Sequence, residues 1–391
     1  MKEELKIRFL SDLIDFKNGK SIKPSSGNIP IYGGNGILGY SEKYNYNNIL
    51  IIGRVGAYCG SIHYHKEKCW VSDNAIAGEV KSDYSIDYLY YLMKSLNLND
   101  RQVGSSQPLL TQGVLNNISV KIYESSQAQQ SIAAVLSALD KKIALNKQIN
   151  ARLEEMAKTL YDYWFVQFDF PDADGKPYKS SGGEMVFDET LKREIPKGWE
   201  VKKLKDAMQI VRGASPRPID DFLSDNGIPW IKISDATATS TPFIFKTKEF
   251  IKSNGKQYSR YLYPNTLILS NSATPGIPRI VELECCVHDG WLIIENLKNG
   301  LFNEFMYFYF LNFKEKIINL GSGSIFKNLK TEYIKELDLI IPNKETLENA
   351  KTIFSDVFKK IKNTQKQNHQ LTQLRDFLLP MLMNGQVSVA E

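Results

Sequence analysis

One stretch without proline or glycine, from residue 125 to about residue 166, constrains the fold of this chain more than any other part of its sequence. Ser126 with Gln129 three residues later is typical of a helix start, because each side chain can satisfy a backbone donor of the first turn. Apolar residues then recur at steps of three and four, as they do on one face of a helix. At about 1.5 Å per residue this pattern predicts a central helix of roughly 60 Å over residues 125–170, lying against a partner helix.

A second stretch of the same kind supplies that partner. Residues 343–391 are predicted to form a C-terminal helix and tail, with the helix running from the residues after Pro342-Asn343 to Pro380. The two stretches correspond with an offset of 218 positions (368 − 150). We therefore predict that they pack against each other along a seam formed by Leu136, Leu139, Ile143, Asn150, Leu153, Leu160, Ile361, Asn368, Leu371 and Leu378.

Two asparagines, Asn150 and Asn368, hold equivalent positions in the apolar stripes of these helices. A polar residue within such a seam costs stability and fixes the register of the pair. The alternative interpretation is that both asparagines face solvent at the edge of the seam.

The remaining sequence divides into two globular regions and a linker. Residues 1–124 combine dense turn signals with short β-rich runs and one amphipathic stretch, which predicts a compact α+β domain. Residues 171–198 are rich in aspartate, proline and glycine and are predicted to form a solvated linker. Residues 199–342 again mix strand and turn signals, which predicts a second α+β domain.

The two globular regions resemble each other. Leu10, Asp12 and Gly19 recur as Leu204, Asp206 and Gly213, and the strand around Leu50 recurs around Leu267. A repeat of this length is not a solenoid. The sequence instead predicts a duplication of one globular domain plus one long helix, with the extra length of the second domain mostly before its Leu267 strand.

Composition excludes several classes of protein and selects none. With 42% hydrophobic and 24% charged residues the chain is an ordinary globular protein, and its net charge of +5 permits an anionic partner without demanding one. Four cysteines, two of them adjacent, give no disulfide framework and indicate reduced thiols. We find no signal peptide and no apolar run that could cross a membrane, so we expect a cytoplasmic protein without a membrane partner.

The sequence contains no complete catalytic or metal-binding motif among the patterns that we considered. Residues 34–39 fit the dinucleotide-binding glycine pattern, but no apolar helix follows and the expected βαβ unit is missing. We find neither a P-loop nor the Asn-Pro-Pro-aromatic signature of amino-methyltransferases. Cys59, His63, His65 and Cys69 match no standard zinc spacing, and the linker aspartates match no calcium loop. We therefore expect a non-catalytic chain with no metal and no cofactor of its own.

The linker carries a resemblance to a known family. WFVQFDFPDADGKPYKSSGGEMV, followed by LKREIPKGWEVKKL, resembles the specificity (S) subunit of type I restriction–modification systems, the HsdS family. The ending LRDFLLPMLMNGQV and the stretches IPIYGGNGILGY and GIPWIKISD are similar to other parts of that family. The resemblance covers the whole chain, with one departure: the first recognition domain begins almost at once.

The resemblance implies an architecture and a role. In that family, two α+β target-recognition domains are separated by two long helices that form an antiparallel coiled coil, with a pseudo-two-fold internal repeat. Each domain reads one half of a bipartite double-stranded DNA target, and the helix pair sets the spacing and docks two modification subunits.

The resemblance also implies partners that carry the chemistry. The modification (methyltransferase) subunits bind S-adenosylmethionine and methylate adenine, and restriction subunits use ATP and Mg²⁺ for translocation and cleavage. This chain itself would be non-catalytic. Three alternatives stay open: an inactive or phase-variable copy, a coiled-coil scaffold without a DNA role, and a stand-alone nuclease or methyltransferase, which the missing motifs disfavour.

Loop residues are the expected DNA readers. Arginine suits guanine, and asparagine and glutamine suit adenine, while basic groups hold the backbone. Neighbouring glycine or proline allows close approach, although any single lysine or arginine can equally be a solvated surface charge. We predict DNA contacts in the first domain at Lys20, Lys23, Asn35, Arg54, Ser72, Asn74, Ser105, Ser106 and Gln107. In the second domain we predict them at Arg212, Arg217, Lys232, Asn271, Ser272, Thr274, Arg279, Ser324 and Lys327.

Partner docking is predicted on the long helices. Two helices alone cannot bury all of their large apolar side chains. We therefore predict that modification subunits, or other parts of the chain, cover Tyr161, Trp164, Phe165, Phe377 and Leu379.

Overall fold

The computed structural model describes residues 5–101, 109–319 and 330–389. The chain divides into two compact units, unit 1 being Met1–Leu145 with Asn368–Glu391, and unit 2 being Asn146–Gln367. Each unit therefore contains one globular region and parts of two long helices.

Unit 1 is built on a six-stranded sheet. Its elements in chain order are β1 (Leu5–Phe9), α1 (Leu10–Leu13), β2 (Ile14–Asn18), β3 (Ile29–Gly33), β4 (Gly36–Ser41), β5 (Tyr46–Gly53), β6 (Ile62–Val71), β7 (Ala75–Val80), α2 (Ile86–Ser95), α3 (Gln112–Asn116) and β8 (Ser119–Tyr123). The sheet has the order β2-β7-β5-β6-β3-β4, and β1 pairs with β8 in a separate antiparallel pair. Within the sheet only the β3–β6 pairing is parallel.

Strand β5 shows why its sequence is a continuous apolar run. Leu50 and Ile52 enter the core beneath α2, whereas Ile49 and Ile51 enter a smaller cluster with Cys69 and Val71 on the other face. A strand buried on both faces needs apolar residues at every position rather than at alternate ones.

Unit 2 contains two five-stranded sheets. Its elements are β9 (Met185–Asp188), β10 (Arg193–Pro196), β11 (Glu200–Lys203), α5 (Leu204–Ala207), β12 (Gln209–Arg212), β13 (Leu223–Ser224), β14 (Ile228–Ile231), α6 (Ile233–Thr237), β15 (Phe243–Ile244), β16 (Glu249–Ile251), β17 (Arg260–Leu262), β18 (Thr266–Ser270), β19 (Pro278–Val281), β20 (Cys285–Val287), β21 (Trp291–Glu295), α7 (Asn303–Asn319), α8 (Thr331–Lys335) and β22 (Asp338–Ile341). The sheets have the orders β12-β21-β18-β19-β15 and β13-β16-β14-β20-β17, and β9–β10 and β11–β22 form separate pairs. Most of the second sheet lies before β18, where the sequence predicts the extra length.

Two long helices follow the globular regions. Helix α4 (Ser126–Tyr161) continues as a π-helical turn at Asp162–Val166, and α9 (Lys344–Met383) continues about one turn beyond Pro380. In unit 1, Asn368 Nδ2 donates to Ile143 O at 3.2 Å, and Arg375 Nη1 lies 2.7 Å from Asp140 Oδ1. Because residue numbers fall along α4 as they rise along α9, the helices run antiparallel here.

The seam residues lie largely where the apolar stripe predicts. Leu136, Ile143 and Ile361 are buried, and the leucines of the seam are otherwise half-buried. Asn150 is only 4% exposed, and Asn368 is half-buried. Neither asparagine faces solvent, so the structure favours the interpretation in which they lie within the seam.

The segment of helix α7 from Phe305 to Phe310 is buried almost all round. Phe305, Met306, Tyr307, Phe308 and Phe310 are all at most 1% exposed. Their neighbours belong to strands β18 and β19 and to the unit 2 parts of α4 and α9. A helix that is apolar all round must lie in a core, and this one fills the space between a sheet and two helices.

The predicted duplication is confirmed by the topology. The neighbour order β2-β7-β5-β6 in unit 1 recurs as β12-β21-β18-β19 in unit 2. In both units a short pair brings the strand before the first helix against the last strand, as in β1–β8 and β11–β22. A long helix follows each repeat.

The predicted linker, residues 171–198, is largely exposed, as predicted, but part of it forms regular structure. Strands β9 and β10 form an antiparallel hairpin within it. Just before it, Asp169 is 7% exposed and accepts hydrogen bonds from the backbone N–H and the hydroxyl of Ser180, both at 2.7 Å. The Phe170 ring stacks on Trp199 with centroids 4.9 Å apart. Ser180 thus satisfies the buried carboxylate of Asp169, and aromatic packing of Phe170 anchors the start of the linker to the core.

Candidate nucleic-acid interface

Three loops of unit 1 are joined by backbone hydrogen bonds. Gly19 N donates to Ala75 O, and Lys20 N donates to Val71 O, both at 3.0 Å. Arg54 N donates to Asn74 O, also at 3.0 Å. We call this set of loops, residues 19–20, 53–54 and 72–74, the first loop cluster. It brings together four of the predicted DNA contacts: Lys20, Arg54, Ser72 and Asn74.

Glycine is required where two of these loops meet. A Cβ on Gly19 would lie 2.0 Å from Ser72 O, closer than any side chain can approach a backbone oxygen. Gly19 therefore sets the distance between the end of β2 and the turn before β7.

The same contacts recur in unit 2. Gly213 N donates to Trp291 O at 2.8 Å, and Asn271 N donates to Gly290 O at 2.9 Å. A Cβ on Gly213 would lie 2.3 Å from His288 O. These residues, 213–215, 271–272 and 288–290, form the second loop cluster, which repeats the first. The offsets of its three loops are 194 (213 − 19), 217 (271 − 54) and 216 (288 − 72) positions.

Asp289 is a functional candidate that the sequence interpretation missed. Its carboxylate accepts a hydrogen bond from the Ser215 hydroxyl at 2.9 Å and lies 3.3 Å from Arg217 Nη2. Arg212 donates from Nε to Asp289 O at 2.8 Å, with Nη2 3.9 Å from Oδ2. The repeat of Val-x-Asp at residues 71–73 and 287–289 is the signal that could have identified it.

The charge state of this cluster follows from its contacts. Burial opposes ionisation of Asp289, but the Ser215 hydroxyl and the charges of His288 and Arg212 outweigh it and hold its pKa below the ordinary value. Burial lowers the pKa of His288, whose Nδ1 accepts a hydrogen bond from Gly290 N at 2.7 Å. Near neutral pH the cluster thus contains two arginines, one carboxylate and a neutral imidazole.

Buried polar atoms remain in both loop clusters. Arg54 Nε, Ser72 Oγ and Asn271 Oδ1 are buried and have no hydrogen-bond partner among the residues that the structure describes. A buried polar group without a partner costs about 1–3 kcal/mol. Arg54 and Asn271 hold equivalent positions, so a buried polar atom without a partner recurs at the same place in both clusters.

Other predicted DNA contacts lie apart from these loops or are already engaged. Asn35 is exposed in the β3–β4 turn, and Lys23 is exposed in the segment before β3. Lys232 follows strand β14 and pairs with Glu249 at 2.5 Å. Its neighbour Ile231 accepts a backbone hydrogen bond from His288 of the second loop cluster. Ser272 is half-buried and Thr274 exposed.

Arg279 requires a correction. Its guanidinium donates to Ala236 O and Thr239 O at 3.0 and 3.2 Å. These donors are therefore engaged within the chain and do not point to a DNA contact. The remaining predicted contacts, Ser105, Ser106, Gln107, Ser324 and Lys327, lie outside the described residues.

The docking prediction allowed two kinds of cover, modification subunits or other parts of the chain, and for three of its residues the structure shows the second. Tyr161, Trp164 and Phe165 are buried by the chain itself, with the Phe165 ring 4.9 Å from that of Phe305 between centroids. Helix α7 packs against Tyr161 and Phe165, which a helix–helix pattern alone does not show. Phe377 is 61% exposed, and Leu379 is half-buried.

An apolar groove does lie between the two long helices in unit 2. It has a volume of about 590 Å³ and is lined by Arg152, Glu155, Met156, Ala157, Thr159, Leu160, Tyr163, Ile353, Phe354 and Val357. Met156 is 53% exposed, and Tyr163 and Ile353 are 38% and 39% exposed.

No metal site appears in the described part of the chain, where no three His, Cys, Asp or Glu side chains are placed to hold an ion. Burial raises the pKa of the Cys69 thiol to about 12, so it stays protonated. His65 Nδ1 lies 3.2 Å from the Tyr32 hydroxyl. Within the described ranges, every helix is too short or too polar to cross a lipid bilayer.

Comparisons with known proteins agree with the duplicated architecture. A family model described as the type I restriction modification DNA specificity domain matches residues 2–155 and again residues 196–373. The specificity subunit of the type I restriction enzyme MjaIX from Methanocaldococcus jannaschii is 29% identical over 317 residues, which cover 78% of this chain and 70% of that protein. The HindI specificity subunit from Haemophilus influenzae is 25% identical over 334 residues, covering 72% and 71%.

A solved structure shares the fold. The type I restriction–modification S subunit from M. genitalium aligns with a TM-score of 0.62 at 15% identity, covering 97% of this chain and 96% of that one. The family model matches most of the chain, and its two matches coincide with the two structural repeats. The chain therefore belongs to the family of type I restriction–modification DNA specificity subunits.

Proposed function

We propose that each loop cluster reads one half of a bipartite target in double-stranded DNA, and that the chain itself catalyses no reaction. The observation that carries this proposal is the recurrence of one loop arrangement in both units, with basic and amide side chains on it. Reading a split target requires two readers of similar build, and this chain has them.

The side chains of the clusters suit the grooves of DNA. Asn74 carries an exposed amide that can pair with adenine, and Arg54, Arg212 and Arg217 carry guanidinium groups that can pair with guanine. Lys20 supplies a positive charge for the phosphate backbone. Helices α4 and α9 both pass from one unit into the other, and we propose that their length sets the number of base pairs between the half-sites.

The chemistry would come from partner subunits. We propose that two modification subunits bind S-adenosylmethionine and methylate adenine at the target. Restriction subunits would add ATP- and Mg²⁺-dependent translocation and cleavage. The complex would act in the cytoplasm, where the four free cysteines stay reduced.

The central test is the methylation pattern of DNA. Co-expression of this chain with its modification partner should produce methylated adenines within one split motif in genomic DNA. Methylation that does not depend on this chain would contradict the proposal. A complex that assembles but neither methylates nor shifts duplex DNA in a gel would favour an inactive copy or a scaffold.

The apolar groove in unit 2 is our proposed docking surface for a modification subunit. Met156→Asp should reduce co-purification of that subunit at least tenfold, because burying an unpaired carboxylate at an interface costs several kcal/mol. Phe187→Asp is a matched control, since Phe187 is 58% exposed on the β9–β10 hairpin outside the groove. Equal co-purification of both variants would contradict docking in the groove.

A further inference from the structure

Asp289 links two arginines at the second loop cluster. Its Oδ2 faces Arg217 and Arg212, and its Oδ1 accepts the Ser215 hydroxyl. The side chains of Arg212 and Arg217 nevertheless remain 58% and 78% exposed. A guanidinium has five N–H donors, so donors on both arginines stay free for another molecule.

We propose that Asp289 is a specificity-determining residue that holds Arg212 and Arg217 for base contacts and weakens their attraction to the phosphates of non-target DNA. This inference rests on the proposed DNA-reading function of unit 2 and goes beyond it. It names a residue that would not bind DNA itself but would act through two that do.

Charge is the first part of the argument. Two free arginines would attract any DNA, because phosphate contacts carry no sequence information and supply most of non-specific binding. One carboxylate beside them removes half of that positive charge. Base contacts lose less, since a hydrogen bond to a base edge depends mainly on geometry.

Geometry is the second part. Exposed arginine side chains lose considerable conformational entropy when a base contact fixes them. Asp289 already restrains both guanidinium groups, Arg217 through its carboxylate at 3.3 Å and Arg212 through its backbone oxygen at 2.8 Å, and this reduces the loss for contacts they are aligned to make. The carboxylate is itself fixed by Ser215 and by the tight turn at Gly290, where a Cβ would lie 2.5 Å from Ser272 Oγ.

Unit 1 provides a contrast within the same chain. Asp73 occupies the position equivalent to Asp289 and is exposed. Among the ion pairs of the described residues, none includes Asp73. We therefore expect the effect to be specific to the half-site read by unit 2.

The test uses the full chain in complex with its modification subunits. Binding is measured to a duplex with the genomic methylation motif and to duplexes with one or the other half-site scrambled, over a range of salt concentrations. For Asp289→Asn, binding to the duplex that lacks the half-site read by unit 2 should rise several-fold. Binding to the intact motif should fall. Their ratio should drop about tenfold, and the salt slope should steepen by about one unit, the contribution of one added phosphate contact.

Three further variants separate charge from position. Asp289→Glu keeps the charge and should restore the wild-type salt slope. Ser215→Ala keeps the charge but frees the carboxylate, so it should lower the ratio without changing the slope. Asp225→Asn removes an exposed carboxylate outside the cluster and should change neither quantity.

Several results would overturn the inference. An unchanged ratio and slope for Asp289→Asn would do so, and so would an equal fall in binding to all duplexes, which would mark Asp289 as merely structural. If the wild-type complex does not prefer the intact motif, the proposed function fails together with the inference. A wild-type preference that survives in Asp289→Asn overturns the inference alone.

Discussion

Replacing Gly213 with alanine should abolish recognition of one half-site while the other half-site is still read. The added Cβ would lie 2.3 Å from His288 O, a backbone atom that cannot rotate away. The turn that carries Asp289 must therefore move relative to β12. Loss of two base contacts, at about 1–3 kcal/mol each, predicts a fall of at least about 30-fold in binding to that half-site.

The equivalent change in unit 1 should affect the opposite half-site. Gly19→Ala places a Cβ 2.0 Å from Ser72 O. Gly113→Ala, in α3, is the matched control. The atom nearest to the added Cβ would be 3.8 Å away, so this variant should bind like the wild type. The measurement is binding to duplexes in which each half-site is scrambled in turn, with circular dichroism to show that each variant folds. Wild-type reading of both half-sites by Gly19→Ala and Gly213→Ala would contradict the assignment of the loop clusters.

Replacing Phe358 with alanine should lower the free energy of unfolding of unit 2 by about 3–5 kcal/mol, the usual cost of truncating a buried phenylalanine. Phe358 lies on α9, is 1% exposed, and contacts Phe308 and Tyr307 at ring-centroid distances of 5.7 and 5.6 Å. Its removal leaves a cavity where helix α9 now packs against the core around α7.

The control for this prediction is on the same helix. Phe377→Ala removes a ring that is 61% exposed and should change stability by less than about 0.5 kcal/mol. Urea denaturation of the two variants, followed by tryptophan fluorescence, measures the difference. A similar midpoint for both would mean that α9 does not stabilise unit 2 through its buried face.

The long helices and the duplication could be predicted because both leave local periodic signals. The stripes that contain Leu136 and Ile361 have helical spacing, and the repeated Leu-x-Asp before Gly19 and Gly213 marks equivalent turns. Such patterns report which residues face a core. They do not report which element covers that core.

That limit explains why the sequence could not decide between partner subunits and the chain itself as the cover of Tyr161, Trp164 and Phe165. Their spacing indicated an apolar face, but the element that covers it, α7, lies about 140 residues further along the chain. Arg279 was misassigned for a related reason. Its partners, Ala236 O and Thr239 O, are backbone atoms that are brought near only by tertiary folding. Asp289 was missed because a single aspartate in a turn has many possible roles, and only the structure places it beside two arginines.

The backbone hydrogen bonds that join the loops have a consequence for how such a protein can change its target. Gly19 and Gly213 make the same contact, yet the positions around them differ: Arg54 corresponds to Asn271, and Ser72 to His288. The loops are thus joined by backbone atoms, which every residue has, while the side chains at these positions can vary. We therefore expect that substitution at those positions can replace one recognised sequence by another without refolding the domain, so that the two halves of a target diverge independently of each other.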